Sequence, residues 1–201
     1  VLGGTRSTTD SLQNLAARQG TALAEVSSRP VKDWIFPVLN TSQNWYAEML
    51  LKQLGRQFGG AGSWKAGLEV ERRFLIDSMK VDSTQFALRD GSGLSSSNLV
   101  SPKAFATLLT WMRAHPRFES FAAGLPQSGQ RGSLKSRFVG TPLEGKVRAK
   151  TGSISRVNTL AGYIELPGRT LTFAVEANNH TLGSRVMIPQ IDSLVVQMGK
   201  K

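Results

Sequence analysis

The strongest constraint lies late in the chain, where three stretches alternate in quick succession. Between Lys146 and Thr151, residues Val147, Ala149 and Thr151 fall on one side and Lys146, Arg148 and Lys150 on the other, before Gly152. That is the period of a strand. Leu160, Gly162 and Ile164 then alternate with Ala161, Tyr163 and Glu165. Pro167-Gly168 makes a turn, and Leu171, Phe173 and Val175 alternate again. The pattern predicts an antiparallel hairpin beside the 146–152 strand, three consecutive strands in all. Ile188, Ile191, Val195 and Met198 follow as the apolar stripe of a helix that can cover this sheet.

Upstream the pattern is helical. Residues 1–28, rich in Gly, Ser, Thr and Ala, read as a connection into a domain, with Leu12, Leu15 and Ala16 as a short helical face. Trp34, Ile35, Val38 and Leu39 predict a short buried helix that Pro37 must bend or interrupt. Asn44–Leu54 reads as a second helix, ended by Gly55 and the Gly59-Gly60 pair. Ser42-Gln43-Asn44 sits at the junction of the two, where it offers N-cap side chains. Ser63 is expected to cap a third helix, with Trp64, Leu68 and Leu75 on its inner face. Ser101-Pro102 is a cap and first-turn proline for a fourth, with Phe105, Leu108, Leu109 and Met112 on one face. Short helical pieces are expected at Phe118–Ala123 and around Leu134–Phe138.

Composition narrows the chemistry. The 201 residues suit one domain or most of one, and 40% are apolar without a long apolar run. There is no cysteine, which excludes disulfides, thiolate catalysis and Cys-ligated metals. Two histidines, His115 and His180, are too few for a His-rich zinc site, and neither adjoins a nucleophile elbow of a Ser-His-Asp triad. Neither a metal nor a cofactor is expected. Asp90-Gly91-Ser92-Gly93-Leu94-Ser95 is a turn-rich loop, but no Gly-Lys-Ser/Thr follows, so a nucleotide is discounted. The net charge of +11 favours anionic partners such as an acidic membrane surface or wall polymer. The basic residues are dispersed, and no nucleic-acid signature accompanies them.

Lys150-Thr151-Gly152 closes the first strand with a positive charge, a hydroxyl donor and a stretch of bare backbone. At a sheet edge its peptide groups would also pair with an extended peptide.

Taken together, Ser42-Gln43-Asn44, the Asp90–Ser95 loop and Lys150-Thr151-Gly152 resemble the serine penicillin-recognising enzymes, whose motifs are Ser-x-x-Lys, Ser-x-Asn and Lys-Thr-Gly. Ser42-Gln43-Asn44-Trp45-Tyr46-Ala47-Glu48 is similar to a Ser-Asp-Asn-x-x-Ala-Glu segment of the low-molecular-mass class C penicillin-binding proteins, the D-alanyl-D-alanine carboxypeptidase/endopeptidase family. The Asp90 loop with Asn98 and Ser101-Pro102 is similar to another of its segments. So are Leu125-Pro126…Gly129…Gly132-Ser133-Leu134 and Ala149-Lys150-Thr151-Gly152-Ser153. No lysine of this chain has a serine three residues before it, so Ser-x-x-Lys is absent from these 201 residues. The resemblance therefore implies that residues 29–201 are the C-terminal portion of the penicillin-binding domain, and 1–28 a connection from a missing N-terminal part. It implies an α/β fold, a sandwich of the α+β type with helices over an antiparallel sheet.

The resemblance further implies residue roles in a serine carboxypeptidase acting on peptidoglycan stem peptides outside the cytoplasm and inhibited by β-lactams. Ser42 would relay a proton to the leaving D-alanine nitrogen. Lys150 would hold the field positive and hydrogen-bond Ser42, and Asn44 would hold the substrate amide. Thr151 would bind the terminal carboxylate beside Gly152, and the Ser153 N–H would join the oxyanion hole. Arg148 would add to carboxylate attraction. The nucleophile would come from an N-terminal segment or a second chain. The alternatives are a catalytically inactive cell-wall peptide-binding homologue, a β-lactamase, and a nucleic-acid module resting on charge alone.

Overall fold

The computed structural model describes residue 27 and residues 29–200. The chain divides into Val1–Pro30 and Val31–Lys201, and every element described here belongs to the second. The helical face expected at Leu12, Leu15 and Ala16 lies outside the described residues, as does nearly all of the expected 1–28 connection. In chain order the elements are α1 (Val31–Asn40), α2 (Asn44–Phe58), α3 (Trp64–Arg73), β1 (Phe86–Ala87), β2 (Leu99–Val100), α4 (Pro102–Ala114) and α5 (Phe118–Gly124). Then come β3 (Val147–Ile154), β4 (Val157–Leu166), β5 (Arg169–Asn178) and α6 (Ser184–Met198).

The three alternating stretches form one antiparallel sheet in the order β3-β4-β5. Val147 lies opposite Ile164, Ala149 opposite Gly162 and Leu160 opposite Val175. This register sends Val147, Ala149, Leu160, Ile164 and Phe173 to one face, where Ile191 and Val195 of α6 bury them. A one-residue slip would turn that whole set to the other face. Each fully buried aliphatic side chain here contributes about 1.5–3 kcal/mol. The opposite face carries Tyr163, packed with Leu109 of α4, Leu125, and Phe118 and Phe121 of α5. Its hydroxyl donates to the Leu109 carbonyl at 2.8 Å. Burial, only partly offset by Arg113, pushes that phenol up to about 12. Helices thus cover both faces, and the antiparallel sheet with its C-terminal helix is the fold expected.

Three local expectations are corrected. Helix α2 does not stop at Gly55 but runs to Phe58, ending on Gly59. Gly55 is there for space: a Cβ on it would lie 2.6 Å from the Gly67 nitrogen and 2.7 Å from the Ala61 carbonyl, where α2 crosses α3. Trp64 is not on an inner face. It is half exposed, lies over the Lys52 ammonium at 3.6 Å, and donates its indole N–H to Glu48. The helix expected around Leu134–Phe138 is only a 3-10 turn at Gly132–Leu134. Phe138 sits at φ +63°, so the chain leaves helical geometry to plug Leu134, Phe138 and Leu143 into the sheet core. The β1–β2 pair is an addition, being two residues per strand and too short to show a period. The caps fall as expected, with Ser63 accepting from Ala66 N–H and Ser101 from Ala104 N–H.

Candidate active site

The outer edge of β3 is half closed and half open. The Lys146 carbonyl accepts from Glu165 N–H, so Lys146, Arg148, Lys150 and Gly152 turn their peptide groups to β4. Val147, Ala149, Thr151 and Ser153 therefore turn theirs outward. Residues 126–128 cover the first two: Ala149 N–H donates to the Pro126 carbonyl, and the Val147 carbonyl accepts from Ser128 N–H. No described residue covers the N–H groups of Thr151 and Ser153. Among the described residues the edge is open where Lys-Thr-Gly-Ser lies. Gly152 is constrained from the other direction, since a Cβ there would collide with the Thr159 hydroxyl across the ladder.

Ser42 reaches this edge from the α1–α2 link. The Pro37 carbonyl accepts from both Gln43 N–H and the Thr41 hydroxyl, which closes the link tightly. Ser42 itself sits at φ +57°, a left-handed conformation that costs a non-glycine residue about 1–2 kcal/mol. The triplet does not cap its helix: Gln43 is the N-cap residue and makes no side-chain capping bond. Instead, Lys150 Nζ donates to Ser42 Oγ at 2.8 Å across 108 residues of sequence, and to the Thr151 carbonyl at 2.7 Å. No carboxylate among the described residues lies within ion-pair distance of Lys150. Burial without a counter-ion pushes its pKa below the ordinary lysine value.

Thr151 brings in a residue to which sequence reasoning assigned no role. Its hydroxyl donates to Ser133 Oγ at 2.8 Å. Gly132 positions Ser133: it sits at φ +63°, and a Cβ on it would lie 2.8 Å from the Asn40 carbonyl. Asn40 is buried and donates to the Leu125 carbonyl. The end of α1 that leads to Ser42 is thereby tied to the segment that carries Ser133. The only sequence signal for this was the Gly-Ser-Leu triplet.

The other expected residues are placed differently. Asn44 begins α2, makes no side-chain hydrogen bond to another described residue, and lines an open cleft of about 500 Å³ with Trp45, Glu48, Trp64 and Leu94. Arg148 shares a strand face with Lys150, but its Nε lies 3.2 Å from a Glu165 carboxylate oxygen. That ion pair partly neutralises its charge, although Arg148 Nε makes no hydrogen bond. The Ser153 hydroxyl accepts from Asn158. His115 stacks on Trp111, and His180 contacts Asn158 and Leu182, so neither ring meets Ser42.

The Asp90–Ser95 loop is held by the chain's own carboxylates. Glu48 accepts from Gly91 N–H, Ser92 N–H and the Trp64 indole, while Asp90 accepts from Gly93 and Ser95 N–H and the Asn98 amide. Burial raises the Glu48 pKa, but these hydrogen bonds outweigh it and the net shift is downward. Nearby on α3, burial and then Asp90 push the Glu71 carboxyl up to about 7. Because the folded Glu48 pKa is depressed, its stabilisation is present above the unfolded value of 4.5 and fades as pH falls through the folded value. Glu48→Gln, which turns an NH₂ toward N–H donors, is expected to cost about 1–2 kcal/mol at pH 7. Thermal melts should show that deficit shrinking in acid; a pH-independent deficit would refute the role of the charge.

Comparisons with known proteins bear on the family and the fold. Residues 2–198 match the model of the D-Ala-D-Ala carboxypeptidase 3 (S13) family. The chain is 37% identical over 164 residues to a D-alanyl-D-alanine carboxypeptidase of Actinomadura sp., covering 79% of this chain and 30% of the relative. It is 32% identical over 189 residues to penicillin-sensitive carboxypeptidase A of Dictyostelium discoideum, covering 88% and 35%. The fold matches penicillin binding protein 4 (dacB) from Haemophilus influenzae, solved with a β-lactam. The TM-score is 0.81 and the identity 26%, over 90% of this chain and 44% of that one. The chain thus spans about a third of the length of these curated relatives. On the family match and the shared fold together, it belongs to the D-Ala-D-Ala carboxypeptidase 3 (S13) family of peptidases.

Proposed function

We propose that this chain supplies the substrate-gripping part of a serine DD-carboxypeptidase/endopeptidase, which cleaves D-Ala-D-Ala ends or D-Ala cross-links of peptidoglycan through an acyl-enzyme. The observation that carries the reading is the Lys150–Ser42 hydrogen bond at the open end of β3. There a cation with no counter-ion among the described residues, three hydroxyls and two outward N–H groups adjoin one strand edge, a set suited to a peptide that ends in a carboxylate.

Ser42 relays a proton toward the leaving nitrogen under the field of Lys150. Thr151, with Ser133 beside it, receives the terminal carboxylate, and Gly152 leaves the backbone accessible. Asn44 holds the substrate amide, and the Ser153 N–H is one oxyanion donor. The attacking serine and its lysine base come from a Ser-x-x-Lys segment outside these 201 residues. β-Lactams acylate that serine. The site works on the wall side of the membrane, where the net charge of +11 favours contact with anionic polymer or lipid. Among the described residues no helix is long and apolar enough to cross a membrane.

A fluorescent penicillin added to the full-length protein tests this. Covalent labelling, with D-alanine released from a D-Ala-D-Ala peptide, is the expected result. Binding of wall fragments with neither label nor release would mean an inactive binding homologue instead.

A further inference from the structure

Behind the end of β3 lies a polar chain, centred on the buried Asn158, that the proposed chemistry leaves unused. Asn158 of β4, 1% exposed, lies opposite Ser153 in the ladder. Its amide contacts Ser153 Oγ at 2.9 Å and Ser184 Oγ at 3.1 Å through one end, and His180 Nε2 at 3.1 Å through the other. The second ring nitrogen, Nδ1, lies 2.7 Å from the Leu182 carbonyl oxygen.

A carbonyl oxygen only accepts, so Nδ1 carries a proton in every state of the ring. Proton counting then leaves two arrangements. With an imidazolium, Nε2–H donates to Asn158 Oδ1, and the amide NH₂ donates to both serine oxygens. The Ser153 proton is then left to point outward from an exposed residue on the open edge. With a neutral ring, Nε2 accepts, the amide turns its NH₂ to the histidine, and Oδ1 takes the serine protons inward. Any mixed arrangement sets two donors or two acceptors face to face inside the protein, where an unmatched polar atom is costly.

We infer that Asn158 and His180 are positioning residues that set the direction of the Ser153 hydroxyl, protonated His180 making it a donor to the anionic end of the bound peptide. This rests on the function proposed above. The charged residues on the surrounding elements are Arg148 and Lys150 on β3, Arg156 in the β3–β4 turn, Glu165 on β4, Arg169 and Glu176 on β5, and Arg185 and Asp192 on α6. None of them lies within ion-pair distance of the ring.

The test joins ¹⁵N NMR of the His180 ring in the full-length protein to KM and kcat for a D-Ala-D-Ala peptide over the same pH range. The neutral ring should be the Nδ1–H tautomer. KM should rise roughly three- to tenfold as the ring loses its proton, the weight of one hydrogen bond, with kcat moving less. That rise should vanish in H180Q and S153A. In N158L the ring should still titrate while KM no longer follows it. A neutral Nε2–H tautomer overturns the relay on NMR alone, whatever the enzyme does, and so does a KM in H180Q that still tracks the wild-type titration. Failure of wild-type protein to react with penicillin would instead overturn the parent reading, while the tautomer still decides the orientation of Asn158.

Discussion

Lys150→Ala in the full-length protein is expected to slow acylation by penicillin at least about a hundredfold, in line with the loss of a positioned proton-transfer partner or electrostatic donor. The reason is geometric. Lys150 Nζ is the group that holds Ser42 Oγ, and no carboxylate among the described residues competes for its charge. The substitution removes the local positive field and the contact that positions the Ser42 hydroxyl. Lys150→Arg should restore little, because a planar guanidinium cannot take the place of a compact ammonium between Ser42 Oγ and the Thr151 carbonyl. The same site sets an alkaline limit. Burial places the Lys150 pKa below its ordinary 10.5, so the charged form is lost as pH rises through that depressed value. Stopped-flow acylation measured against pH should fall on the alkaline side before 10.5 is reached. A rate that stayed level beyond that point, or a K150A enzyme within tenfold of wild type, would remove Lys150 from the mechanism.

Arg137→Ala should cost about 3 kcal/mol of stability without touching the site. Arg137 clamps Asp192 of α6 through Nε, at 3.1 Å from both carboxylate oxygens, and through a second nitrogen. The two side chains are only 12% and 20% exposed. Truncating the arginine leaves a carboxylate in a largely buried place without its cation, and breaking such pairs costs more than their net contribution to folding. It also loosens α6, whose Ile191 and Val195 cover the sheet. For a cooperative unit of 150–250 residues the loss corresponds to a fall in Tm of roughly 6–12 °C. Calorimetry of R137A beside the double variant R137A/D192A separates the two parts, since removing both charges should recover a share of the loss. A deficit under about 1 kcal/mol would place the pair with ordinary surface ion pairs.

The contrast between Arg137 and Arg148 illustrates how far a sequence can be read. Both are arginines in the C-terminal half, and nothing local distinguishes them. The family resemblance gave Arg148 a part in carboxylate attraction, and only the fold reveals its ion pair with Glu165 across the ladder. Arg137 was passed over inside a helix that does not form. Similarly, Gly55 reads as a helix stop, but its place at a helix crossing comes from the arrival of Gly67 and Ala61.

What the chain determined alone is what short-range periodicity can encode. The period-two alternation of Val147–Ala149, Leu160–Ile164 and Leu171–Val175 admits one register that buries a single apolar face, and the stripe of α6 matches it. Ser63 and Ser101 cap their helices through bonds that span three residues. Apart from the Ser42–Lys150 contact, which the family resemblance implied, the tertiary structure alone decided which polar groups meet. Ser42 and Lys150 are 108 residues apart, Ser133 and Thr151 are 18 apart, and Glu48 fills a loop more than 40 residues away. A hydrogen bond is made or lost within a fraction of an ångström, and no repeat along the chain fixes distances of that kind.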